Sequence, residues 1–163
     1  QECLVDVQKI RSTKNVLSFD KSKSFGLDFM SILGLVLGTN MLSSLKGLNF
    51  NSSNLGYYNE ELKYLMKGLT TNTAVEYLDL GNTYTCRYRE HGDIFAICEM
   101  LKSNKTLQEL NLSSLSIDDS QADLLQATLR INHTLKKIDL SKTSITKSKA
   151  QELKANFPER VII

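Results

Sequence analysis

Val75-Glu-Tyr-Leu78-Asp-Leu80, Leu107-Gln-Glu-Leu110-Asn-Leu112 and Leu135-Lys-Lys-Ile138-Asp-Leu140 superimpose without gaps, with apolar residues at the first, fourth and sixth positions. They begin 32 and then 28 residues apart. Leu45-Lys-Gly-Leu48-Asn-Phe50, 30 residues earlier, keeps the same apolar positions. The alternation that ends each string is the period of a strand with one buried face. Leu17-Ser-Phe19 retains only that alternating end, with Lys14 at the leading position. Val161 and Ile163 offer a closing strand within 158–163, its register after Phe157 left open.

Between the strings the period changes to that of a helix: Leu33, Leu37 and Asn40; Leu65, Leu69 and Asn72; Ile97, Leu101 and Asn104; Leu125, Leu129 and Asn132. Each asparagine is expected to end a helix, where its tolerance of the left-handed conformation is useful. A second recurrent position, five residues after the strand's last apolar residue, is Leu55, Ile117 or Ile145, expected to tuck back under the turn. One strand and one helix cannot bury both apolar faces alone, so each unit needs neighbours. Stacking then gives a continuous parallel sheet backed by helices. Because helices are wider than strands, the stack is expected to curve.

The pattern LxxLxLxxxxL followed by LxxxLxxNxxL, in units of 28 to 32 residues from Leu17 to Phe157, resembles the ribonuclease-inhibitor-like class of leucine-rich repeats. The resemblance implies an α/β fold: a right-handed solenoid in an open arc, with parallel strands on the concave face and helices on the convex face. Residues 1–163 are read as a single domain of about five repeats, with 1–14 as an N-terminal capping helix or the last helix of a preceding unit, placing Leu4, Val7 and Ile10 on one face. One departure from the class lies three residues after each strand's last apolar residue. An inward-bonding Asn or Cys is usual there, and this chain has Ser53, Thr83, Leu115 and Thr143.

Composition narrows the function classes. The formal net charge is +2, and the lysines are spread along the chain apart from modest clusters at Lys136, Lys137, Lys142, Lys147 and Lys149, which argues against a nucleic-acid or anionic-membrane footprint. The most apolar stretch, 25–38, is too short to span a bilayer and contains Asp28. Cys3, Cys86 and Cys98 are odd in number with no CxxC spacing, usage that suits a reducing, cytosolic compartment. Sequons at Asn51, Asn104, Asn111 and Asn132 read as by-products of the repeat. No glycine-rich phosphate loop, metal-ligand spacing or cofactor motif is present, and no small-molecule substrate is evident. Asp118 and Asp119, like Glu60 and Glu61, sit where helix starts are expected and read as N-terminal caps.

Recognition chemistry is expected in the residues that flank the buried strand leucines. The central row down the stack is Ser18, Asn49, Asp79, Asn111 and Asp139. The row before it is Val16, Gly47, Tyr77, Glu109 and Lys137, and the row after is Asp20, Asn51, Gly81, Ser113 and Ser141. Tyr77 is the one large aromatic, and aromatic anchors carry much of the energy at protein interfaces. The strand-to-helix connection over 82–93 is about four residues longer than in the following unit. It carries Tyr84, Arg87, Tyr88 and Arg89, residue types enriched at interfaces. Partner-binding candidates are therefore Tyr77, Asp79, Tyr84, Arg87, Tyr88, Arg89, Glu109, Asn111, Lys137 and Asp139.

Cys86, His91 and Asp93 supply the residue types of a thiol nucleophile, base and orienting acid, but they crowd one loop without an oxyanion hole, so the chain reads as non-enzymatic. The leading expectation is a module that binds a protein partner through its concave strands and the 82–93 loop. One alternative is a small-GTPase regulator resembling the Ran-activating members of the class, with Arg87 or Arg89 meeting a phosphate. Another is the recognition part of a larger protein such as a bacterial effector.

Overall fold

A computed structural model describes residues 15–19, 25–55, 60–83 and 92–163. In chain order the elements are β1 (Val16–Ser18), α1 (Leu27–Gly38), β2 (Gly47–Asn49), α2 (Glu60–Thr71), β3 (Tyr77–Asp79), α3 (Gly92–Ser103), β4 (Glu109–Asn111), α4 (Asp119–Ile131), β5 (Lys137–Asp139), α5 (Lys147–Asn156) and β6 (Val161–Ile162). The six strands form one parallel sheet whose spatial order is the sequence order, so each β–α unit lies beside the next. The N-terminal helix expected over 1–14 lies outside the described residues.

All three apolar positions of the repeated string turn inward. The first (Leu45, Val75, Leu107, Leu135), the fourth (Leu48, Leu78, Leu110, Ile138) and the sixth (Phe50, Leu80, Leu112, Leu140) are buried in every unit. They join Leu33, Leu37, Leu65, Leu69, Ile97, Leu101, Leu125 and Leu129 from the helices in one continuous core, which places the helices against a single face of the sheet. Leu55 and Ile117 are buried under their turns, and Ile145 is partly buried against the same core. At the β1 end four phenylalanines close the layer. Phe19 stacks on Phe50 at 4.1 Å, with Phe25 and Phe29 set at an angle against Phe19. Val161 completes the inward row beside Ile138, the role the sequence offered it in a closing strand.

The asparagines work differently from expectation. Of the four at helix ends, only Asn40 has a left-handed backbone, with φ 57°. Asn72, Asn104 and Asn132 instead use their amides to bridge neighbouring units. Their Nδ2 atoms donate to the carbonyls of Leu37, Leu69 and Leu101, at 2.9, 2.6 and 2.6 Å, in the preceding helix. Their Oδ1 atoms accept the backbone N–H groups of the residues leading into the next strand, such as Thr106 and Leu107 for Asn104. Each therefore ties a carbonyl at a helix end, which in Leu37 and Leu69 also accepts a backbone N–H, to two turn N–H groups of the next unit. In the last unit Arg160 takes the place of an asparagine. Its guanidinium donates to the carbonyls of Leu129 (3.0 Å), Asn132 (2.7 Å) and Leu135 (2.9 Å).

The left-handed positions fall elsewhere, two residues past the last apolar strand residue: Ser52, Asn82, Ser114 and Lys142, with φ between 52° and 61°. At the next position Thr83 and Thr143 donate back to the carbonyls of Leu80 and Leu140. Leu115 fills the site with hydrocarbon, and Ser53 Oγ is buried without a partner among the described residues.

The α1–α2 contact differs from the other helix pairs. A Cβ added at Gly34 would lie 2.2 Å from the Tyr64 carbonyl oxygen, and one added at Gly68 would lie 2.1 Å from the Gly34 carbonyl oxygen. The two helices thus meet backbone to backbone, which only glycine permits. Helix ends at the other extreme are tied by side chains. Asp118 and Gln121 form a reciprocal capping box at α4, as expected for a helix-start aspartate. Asp119 accepts both the N–H and the hydroxyl of Thr146, the N-cap of α5.

Candidate functional site

Residues flanking the buried centre of each strand point to the sheet face opposite the helices. The register aligns them into the rows read from the sequence: Val16, Gly47, Tyr77, Glu109 and Lys137 in one, Ser18, Asn49, Asp79, Asn111 and Asp139 in the next. Ile162 continues the second row beside Asp139. Asp20 lies outside the described residues. No described element covers this face over β3–β5, where Tyr77, Glu109, Leu110, Asn111, Lys137 and Asp139 line a shallow depression of about 240 Å³.

Much of the central row is committed to the fold. Asn49, Asp79, Asn111 and Asp139 each accept, through Oδ1, the backbone N–H two residues on: Asn51, Gly81, Ser113 and Ser141, at 2.8–2.9 Å. This Asx bond turns the chain out of each strand.

Asp79 carries more. It is only 6% exposed. Its carboxylate accepts from the Gly81 N–H (2.8 Å), Asn111 Nδ2 (2.9 Å), Asn51 Nδ2 (3.3 Å to the nearer oxygen) and Tyr77 Oη (2.9 Å). All four donors are neutral. Burial, the bond to Asp79 and the nearby charges of Asp79 and Glu109 push the Tyr77 phenol up to about 12. The phenol stays protonated and its ring is held over the depression's β3 wall. Gly81 beside it has no room for a side chain: an added Cβ would lie 2.7 Å from Asn111 Nδ2.

Glu109 and Lys137 differ from these. Both are exposed, and neither side chain forms a hydrogen bond or ion pair with a described residue. Of the ten partner-binding candidates, Tyr77, Asp79, Glu109, Asn111, Lys137 and Asp139 therefore meet on one surface, with Asp79 as its buried support. Tyr84, Arg87, Tyr88 and Arg89 lie outside the described residues, as do Cys86 and His91.

Two features escaped the sequence reading. A mostly apolar groove of about 600 Å³ runs between α1 and α2, lined by Leu35, Tyr64 and the glycine contact. Leu35 stands 69% exposed beside it. Its signal was present in the apolar stretch 25–38 with Gly34 and Gly38, read from the sequence only as too short to span a bilayer. The second is a pair of carboxyls at the starts of adjacent helices. Glu61 is not a solvated cap but buried, with Oε2 unpartnered among the described residues, and Asp93 Oδ1 shares that condition.

Burial, opposed by Lys63 and aided by Glu61, pushes the Asp93 carboxyl up from 3.8 to about 6. The folded chain then holds this proton more tightly than the unfolded chain. Stability is expected to fall as pH rises from about 4 through 6, and to be flat below 4 for this group. Asp93→Asn is expected to remove that slope and to raise stability at pH 7.5 by about 1–3 kcal/mol. Urea unfolding at pH 4.5, 6.0 and 7.5 checks it; an unchanged slope in the variant refutes the assignment.

The buried thiol of Cys98 is pushed up to about 11, mainly by desolvation, so it stays protonated near neutrality. Asn104 and Asn132 are almost fully buried and use both amide ends, which accounts structurally for two of the four sequons. Among the described residues no three His, Cys, Asp or Glu side chains gather as a metal site, and no helix is long and apolar enough to cross a membrane.

An α/β chain of alternating strands and helices, with six parallel strands in one sheet, is thus the class that the architecture defines. No protein-family model and no curated protein matches the sequence. Among solved structures the chain is similar to one described as leiomodin-1 actin-binding site 2, with a TM-score of 0.65 and 26% identity, over 79% of this chain and 72% of that one.

Proposed function

We propose that this chain is a non-enzymatic protein-binding module of the leucine-rich-repeat type, a solenoid that presents the open sheet face over β3–β5 to its partner. The observation that carries the reading is the uncovered face on which Tyr77, Glu109, Asn111, Lys137 and Asp139 meet around one depression. Glu109 and Lys137 have unengaged charges, and Tyr77 is a pre-oriented aromatic, so little side-chain entropy is lost when it is buried. The recurring Leu, Asn and Asx positions support the solenoid reading, because each unit buries its apolar face only against its neighbours. The similarity to an actin-binding site supports a protein partner and nominates actin as the first to test.

Co-sedimentation with filamentous actin and titration against monomeric actin test this reading. Wild type is expected to bind one form, and Tyr77→Phe combined with Glu109→Ala and Lys137→Ala is expected to weaken it at least tenfold with thermal stability within a few degrees of wild type. Unchanged affinity in the triple variant, or no binding to either form, overturns the assignment of this face to actin.

A further inference from the structure

The open face is acidic on a chain whose formal charge is +2. Its three rows carry Asp79, Glu109 and Asp139 against the single cation Lys137, a net −2 among the described residues. The depression is lined by Glu109 and Asp139 against Lys137, with Asp79 beneath Tyr77 and Asn111. Asp79 forms its floor support, and its carboxylate is met by neutral donors without a described ion pair, so its negative potential is not cancelled locally. Asp139 spends Oδ1 on the Ser141 N–H and leaves Oδ2 without a described partner. Glu109, one strand over on the edge-ward row, has both oxygens free of described partners. The Tyr77 hydroxyl is tied to Asp79, which fixes the ring as the opposite wall.

Resting on the reading of this face as the binding surface, we infer that the depression receives one arginine side chain of the protein partner. Glu109 and Asp139 Oδ2 accept N–H groups of the guanidinium, and the Tyr77 ring lies alongside it. The chemistry favours arginine over lysine. A planar fork of N–H donors serves two acceptors on neighbouring strands at once, and it stacks on an aromatic face. At about 240 Å³ the hollow is smaller than the 300–1,000 Å³ common for drug-sized ligands, a size suited to one long side chain. Lys137, which lines the depression beside Glu109, repels a second cation and pairs with an acidic residue flanking the arginine in the partner, so a mixed basic–acidic segment is preferred over a polybasic one.

The test uses the full chain, ¹⁵N-labelled, titrated with three capped peptides: Gly-Arg-Gly, its citrulline counterpart of the same shape without charge, and Gly-Glu-Gly. The arginine peptide is expected to shift the amides of residues 77–79, 109–111 and 137–141 saturably, and the citrulline peptide to bind at least tenfold more weakly. Glu109→Gln and Asp139→Asn, which keeps the Oδ1 bond to Ser141, are each expected to weaken the arginine peptide at least fivefold with the remaining spectrum unchanged. Equal binding of the citrulline peptide, stronger binding of the glutamate peptide, no saturable shift with the arginine peptide, or indifference to both substitutions overturns the inference. The outcomes separate this inference from the broader reading. Partner binding that is lost in the triple variant but retained by Glu109→Gln and Asp139→Asn leaves the face as the interface and removes only the arginine pocket.

Discussion

Asn104→Ala is expected to destabilise the fold by about 2–4 kcal/mol. The residue is 2% exposed, and its amide donates to the Leu69 carbonyl at 2.6 Å while accepting the N–H groups of Thr106 and Leu107 at 2.8 and 2.7 Å. Truncation orphans the N–H groups of Thr106 and Leu107 and leaves the Leu69 carbonyl only its longer bond from the Asn72 N–H at 3.3 Å; each buried, unsatisfied group costs about 1–3 kcal/mol unless water reaches it. Asn104→Asp separates the two halves of the bridge. It keeps the acceptor for Thr106 and Leu107 but sets a carboxylate oxygen against the Leu69 carbonyl, so a loss of similar size is expected above the carboxylate's pKa. Urea unfolding with an unchanged m-value gives the numbers. A cost below about 1 kcal/mol for alanine would mean that the hydrophobic core alone, and not the amide bridge, joins the units.

At the other end of the sheet the large effect comes from adding one carbon. A helical glycine replaced by alanine normally gains up to about 1 kcal/mol. Gly68→Ala is expected to reverse that sign and lower stability by about 2–3 kcal/mol, because its Cβ would lie 2.1 Å from the Gly34 carbonyl oxygen and no side-chain rotation relieves a backbone clash. Gly34→Ala should behave alike, its Cβ meeting the Tyr64 carbonyl at 2.2 Å. Gly38 on the same helix is the internal control. Its nearest obstacle is the Thr71 side-chain oxygen at 3.3 Å, so alanine there should be close to neutral. For a chain of this size the Gly68 change corresponds to a fall in Tm of roughly 5–10 °C. Equal effects at Gly38 and Gly68 would refute the close-contact account.

The difference between these two predictions marks what the sequence makes readable. Strand positions such as Leu78 and Leu110 are readable because a period of two and a fixed string leave one choice of inward face, and the rows through Tyr77 and Asp79 follow from that register. The presence of Asn104 was equally plain, but its job was not. Asparagine suits both a left-handed turn and an amide bridge, and only the distance to Leu69 in the previous unit decides between them. The left-handed positions were hidden because Ser52, Ser114 and Lys142 have no marked preference for that conformation; the turn geometry imposes it. Gly34 and Gly68 are 34 positions apart, and nothing local to either announces that they touch. At the candidate site, alternation assigns Glu109, Lys137 and Asp79 to one face, but it does not tell that Glu109 and Lys137 are exposed while Asp79 is a buried junction of four bonds.

The hand-over from Asn132 to Arg160 makes the chain editable in whole units. Each bridge is written as an offset: Asn72 to Leu37, Asn104 to Leu69, Asn132 to Leu101, Arg160 to Leu129. Splicing out 105–132 joins Asn104 to His133-Thr134-Leu135, restoring the Asn-x-Thr-Leu order that Asn104 already has with Lys105, Thr106 and Leu107. After such a splice Arg160 would face Leu101 and Asn104 where it now faces Leu129 and Asn132, with the same donors for the same carbonyls. Length is in this sense a free parameter of the scaffold. The chain can be shortened or lengthened by copying one seam, and the arginine fork travels with the unit that carries it.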